Sequence, residues 1–152
     1  MNNTDFKQKI YDTCMEVLQS KAAACKSSLH ELATGIENDT KSSAGDKHET
    51  ARALMQQEQE KILWQLKEIN TELETLQKIN VMAVNAKVNT GSLVKTDKGF
   101  LFLSIAIGRL SINGENIIAL STQSPLGLRL IGKTIGQSVE MNNNTYRILD
   151  IS

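Results

Sequence analysis

The stretch INVMAVNAKVN, residues 79–89, separates two kinds of sequence. Upstream of it there is no Pro, and Gly occurs only at Gly35 and Gly45. Downstream, residues 81–152 hold seven of the nine Gly and the single Pro, Pro125. Long helix-compatible runs therefore give way to short apolar runs punctuated by turn-formers. The change predicts an α+β chain. An antiparallel α-helical coiled-coil hairpin spans residues 1–80, with its tip at about 41–50. A small antiparallel β domain with one short helix spans residues 81–152.

The first half carries heptads. Tyr11, Leu18, Cys25 and Leu32 repeat every seven residues, and Met15, Ala22, Leu29 and Ile36 repeat with an offset of four. A second seam runs through Ile62, Leu66, Ile69, Leu73 and Leu76, with Met55 one heptad earlier and Gln59 interrupting the apolar series. A period of 3.5 keeps two helices in contact along their length. The helices are expected over roughly 5–40 and 46–79, each about 50 Å long. The short connection makes them antiparallel neighbours.

The second half reads as strands. SLVKT and FLFLSIAIG flank the turn signal at Asp97, Lys98 and Gly99. Asn113 and Gly114 mark another turn, followed by NIIALST. Ser124-Pro125 suits the start of a short helix ending before Gly132. SVEM and YRILDI flank NNNT as a closing hairpin. Four to six strands follow from these runs. A domain of about 70 residues barely supports a core of its own, so packing against the base of the hairpin is expected.

Bulk composition excludes several classes. Lys plus Arg equals Asp plus Glu at 17 each, which argues neither for nor against a nucleic-acid or membrane partner. The first 80 residues are net −3 and the remainder net +3. Cys14 and Cys25 lie in one helix, about 16 Å apart by helical rise, too far for a disulfide. Reduced thiols, no apolar signal core at the N-terminus and no long apolar run predict a soluble cytoplasmic protein without a membrane partner. There is no Cys/His pattern for zinc, and the two His, His30 and His48, both fall in the helical half. No Ser or Cys shows a base and orienting partner for nucleophilic catalysis. Phe100 and Phe102 alternate with Leu101 and Leu103 in one strand and read as core rather than as a base-stacking surface.

Between the heptads lies SSAGDKHETARA, residues 42–53. Asp46 and Glu49 are spaced i, i+3. One explanation is local. Asp46 caps the second helix and Glu49 reaches back in a capping box, with both charges at the positive helix end. Ser43 and Asp46 make an equally good cap, which leaves Glu49 without that duty. The other explanation is functional. Two carboxylates one turn apart at the end of a long hairpin share a hard cation such as magnesium with a second macromolecule.

The layout and the C-terminal stretch resemble the bacterial Gre transcript-cleavage factors. The residues that carry the resemblance are Gly45, Asp46 and Glu49 at the tip; Ser124, Pro125, Leu126 and Gly127; Leu130, Ile131, Gly132 and Lys133; Gly136; and Tyr146, Ile148 and Ile151 in the closing strand. VNTGSLV at 88–94 is similar to the opening strand of that family's C-terminal domain. The resemblance implies an FKBP-like β domain that docks on RNA polymerase through Ser124 and Pro125, and a hairpin inserted in the secondary channel. It also implies that Asp46 and Glu49 stabilise a magnesium ion in the polymerase active site, where backtracked nascent RNA is hydrolysed. On this reading the protein is not itself an enzyme, holds no cofactor of its own and acts as a monomer.

The tip departs from the family pattern after Glu49. The usual Asn-Ala-Glu-Tyr is replaced by Thr50, Ala51, Arg52 and Ala53. Arg52 is positioned to pair with Glu49 at i, i+3. Two alternatives therefore stay open: a channel regulator that competes with cleavage factors without cleaving, and a coiled-coil adaptor with a different partner.

Overall fold

A computed structural model of the chain describes residues 3–40 and 46–152, with side chains described for 4–35 and 49–152. Two long helices lead: α1 (Asn3–Thr40) and α2 (Asp46–Gln77). Strands β1 (Leu93–Thr96), β2 (Gly99–Ser104), β3 (Gly108–Ile112) and β4 (Glu115–Ser121) follow. Helix α3 (Pro125–Leu130) precedes β5 (Ser138–Met141) and β6 (Asn144–Ile151). The α+β order read from the sequence is the observed one. The chain forms two compact units, Val17–Leu73 and Met1–Glu16 together with Glu74–Ser152.

Within the Val17–Leu73 unit the helices run antiparallel. A methyl group added at Gly35 would meet the thioether end of Met55 at 3.7 Å, and Lys21 lies near Glu72. The α2 seam is the expected one: Met55, Ile62, Leu66, Ile69 and Leu73 are buried or half-buried, and Gln59 takes its place half-buried among them. On α1 the seam from Leu18 through Ala22, Cys25, Leu29 and Leu32 also follows the heptad.

The base of α1 departs from that heptad. Ile10 and Cys14 are fully buried there, whereas Tyr11 and Met15 are only half-buried. Phe6, Ile10 and Cys14 share one helical face by i, i+4 spacing. Phe6, at the start of this face, packs its ring on Phe100 of β2.

The sheet order is β3-β4-β2-β1-β6-β5. Neighbours pair antiparallel with one exception: β2 and β4 run parallel, with Phe102 opposite Ala119. The chain leaves β2 for the outer edge, and the β3–β4 hairpin then folds β4 back alongside β2. Central β2 is buried on both faces, which accounts for its unbroken apolar run Phe100–Leu103. Leu101 and Leu103 join Val94, Leu120, Leu130 and Ile148 in one core cluster. Phe102 faces the opposite side. The tight turns use residues that tolerate positive φ: Asn113 and Gly114 at 55° and 78°, Asn142 and Asn143 at 51° and 66°.

Candidate functional site

The acid pair falls at the first turn of α2. Asp46 is the first residue of that helix, and its side chain, like those of Ser43 and His48, lies outside the described residues. So does the capping arrangement expected there. Glu49 is exposed one turn on, followed by exposed Thr50 and Arg52. Asp46 and Glu49 stand i, i+3 in the sequence at the start of α2. Two carboxylates fill only part of an octahedral magnesium shell. Among the described residues, no three His, Cys, Asp or Glu side chains gather into a cluster able to hold a metal.

The Ser124–Gly127 motif is built around the start of α3. The Ser124 side chain accepts a hydrogen bond from the Gly127 amide at 3.1 Å and donates to the Ser121 carbonyl at 2.6 Å. Pro125 follows at the first helical position, where its missing N–H costs nothing. Gly127 is required by close approach, since a Cβ there would lie 2.2 Å from the Ser121 carbonyl oxygen. The motif therefore has a structural role of its own, because it fixes where α3 leaves β4. Leu130 then enters the core, and the Arg129 guanidinium donates to the Glu140 carbonyl at 2.6 Å, tying α3 to β5.

Sequence reasoning missed the apolar side chains that this geometry leaves outside. Leu128 is 59% exposed and Ile131 39% exposed. Both line a shallow cavity of about 370 Å³ with Arg129, Lys133 and residues of β5. Pro125, at the start of the same helix, is also exposed. The signal was present as an excess of Leu in LGLRLIG, more than a six-residue helix buries.

Among the described residues, three groups have displaced pKa values, each displaced by burial. Burial lowers that of Lys7, whose ammonium donates to the Ala83 carbonyl at 3.1 Å. Burial pushes the Cys14 thiol up to about 11. Burial also raises Glu72, with neighbouring Glu68 adding to the rise and Lys21 opposing it. Lys7 and Cys14 belong to the sheet-containing unit and Glu72 to the helix pair.

No family model and no curated protein matches this chain. Among solved structures, that of the transcription factor Gfh1 is similar at 18% identity, covering 90% of this chain and 92% of that one, with a TM-score of 0.38. A likeness of that size decides neither the fold nor the function. No described helix is long and apolar enough to cross a membrane.

Proposed function

We propose that this protein is a Gre-like transcription elongation factor, acting in the cytoplasm as a monomer that binds RNA polymerase. The observation that carries the reading is the pairing of two motifs in one α+β chain. Gly45-Asp46-x-x-Glu49 leads into the second of two long helices, and Ser124-Pro125-Leu126-Gly127 opens α3 in the sheet domain. Neither motif alone carries much, since each also has a local structural use.

On this reading the exposed face of α3, with Pro125, Leu128 and Ile131, docks on the polymerase. Ser124 acts indirectly by holding that face in place through its bonds to Ser121 and Gly127. The helix pair enters the secondary channel. Asp46 and Glu49 supply carboxylate oxygens to a magnesium ion that the polymerase binds weakly by itself. Two-metal hydrolysis needs one ion to activate the attacking water and one to stabilise the leaving oxygen. The visiting acids raise the occupancy of the weaker site, and the polymerase cleaves its own backtracked RNA. The protein provides ligands and positioning, and no covalent step passes through it.

The test is a backtracked complex of a cognate polymerase. Adding the wild-type protein shortens the nascent RNA, and Asp46→Asn abolishes the shortening. RNA that stays full length with a cognate enzyme sinks the reading. A second reading, a channel regulator that does not cleave, is favoured by Arg52, exposed one turn from Glu49 where the family carries an acid. It predicts polymerase binding with no cleavage and no effect of Asp46→Asn. If Arg52 competes with the metal for Glu49, Arg52→Ala raises the cleavage rate several-fold.

A further inference from the structure

The sheet domain carries a cavity of about 300 Å³ between the β1–β2 turn and the β3–β4 edge, which the polymerase reading does not use. That is the lower end of the size range for small-ligand clefts. Its charged lining has one sign: Lys98 from the turn and Arg109 from β3, with no carboxylate in the wall. Asn116 at the start of β4 and Asn144 at the start of β6 add two amides, and half-buried Ile118 and Tyr146 add an apolar floor.

The lining is ordered by strand geometry. Arg109 pairs across strands with Ile118, and Asn116 lies two residues before Ile118, so all three share one face of the sheet. Glu115 falls on the other face by the same alternation. Asp97, next to Lys98, is turned away and accepts a hydrogen bond from the Arg147 amide at 2.9 Å. Lys98 is held in position by a hydrogen bond to the Thr145 carbonyl, with its ammonium 5.4 Å from the Tyr146 ring centroid. That leaves it further N–H donors. The side chains of Arg109, Asn116 and Asn144 have no hydrogen-bond partner among the described residues.

We propose that this cavity binds a phosphate monoester with a flat organic body, of mononucleotide size. Arg109 and Lys98 take the phosphate. Guanidinium and ammonium groups in a wall free of carboxylate suit a dianion, and the guanidinium offers it a two-pronged hydrogen bond. The amides of Asn116 and Asn144 donate to or accept from polar edges of the body, which lies on Ile118 and Tyr146. This inference is independent of the polymerase reading and survives its failure.

The experiment is calorimetric titration of the full chain at low salt with adenosine monophosphate and with inorganic phosphate. Saturable binding of the nucleotide is expected, at least tenfold tighter than phosphate. Arg109→Gln weakens it tenfold or more, while Lys87→Gln, an exposed cation outside the cavity, leaves it unchanged. Both variants keep the wild-type thermal midpoint, which separates lost binding from lost folding. No saturable binding, equal affinity for free phosphate, or an unaffected Arg109→Gln variant each overturns the proposal.

Discussion

The ring of Phe6 in α1 meets the ring of Phe100 on β2 edge to face, with centroids 5.0 Å apart and planes at 66°. This contact ties the start of the chain to the middle of the sheet. It explains why a domain of about 70 residues acquires a second covered face. Truncating either ring to Ala should destabilise the sheet-containing unit by about 2 kcal/mol in a urea melt, since both rings are only half-buried. A double-mutant cycle should show coupling of about 0.5–1.5 kcal/mol. Purely additive losses would mean that the rings are neighbours without interacting.

Gly127 and Ser124 set the junction between β4 and α3. Gly127→Ala should cost about 2–3 kcal/mol, because the Ser121 carbonyl stands where the new Cβ must go. Ser124→Ala should cost about 1 kcal/mol, the usual loss on removing a helix cap. Chemical denaturation checks both. If Ser124→Ala weakens polymerase binding while leaving the melt unchanged, Ser124 contacts the polymerase directly rather than through the cap.

Lys7 is 2% exposed, and its only hydrogen bond among the described residues goes to the Ala83 carbonyl. Burial lowers its pKa from the ordinary 10.5, so the folded chain disfavours the bound proton. Below the lowered value the buried charge costs stability. That cost fades as pH rises from the lowered value towards 10.5. Lys7→Met removes the charge and keeps the length, and exposed Ala83 can pass its carbonyl to water. The variant should therefore match or exceed wild type at pH 7. Its advantage in urea midpoint should shrink as pH approaches 10.5. An advantage that grows with pH would contradict this account.

Cys14 should react slowly in the folded chain. Cys14 is buried with its pKa pushed up to about 11, whereas Cys25 is half-buried between the helices. The thiolate is the reactive species, so at pH 8 native Cys14 should alkylate on the order of a hundredfold more slowly than the same thiol in the unfolded chain. Mass spectrometry after timed iodoacetamide labelling of the native and the unfolded chain reads this ratio.

Much of this architecture is legible in the sequence where local chemistry decides. The Asn113-Gly114 turn, the Ser124 cap and the Ile62–Leu76 seam each follow from residues that few other conformations suit. What escapes is set by distant partners. Nothing near β2 reveals that it pairs parallel with β4, since that depends on where the β3–β4 hairpin folds back. At the base of α1, where Phe6 meets Phe100, Ile10 and Cys14 are the buried residues in place of Tyr11 and Met15, a shift that heptad spacing does not encode. Leu128 and Ile131 stay exposed because the short α3 buries only one face. Of the tip, Glu49 is exposed, while the Asp46 side chain lies outside the described residues.

The central claim is that Asp46 and Glu49 supply oxygens to a magnesium ion in the polymerase active site. The most direct measurement is the rate of RNA cleavage in a backtracked complex as a function of magnesium concentration. It is made with no added protein, with wild type and with Asp46→Asn, at protein concentrations that saturate polymerase binding. The account predicts that wild type lowers the half-saturating magnesium concentration about tenfold or more, and that Asp46→Asn binds equally well but leaves the curve where the polymerase alone has it. Superimposable curves for wild type and Asp46→Asn would contradict it.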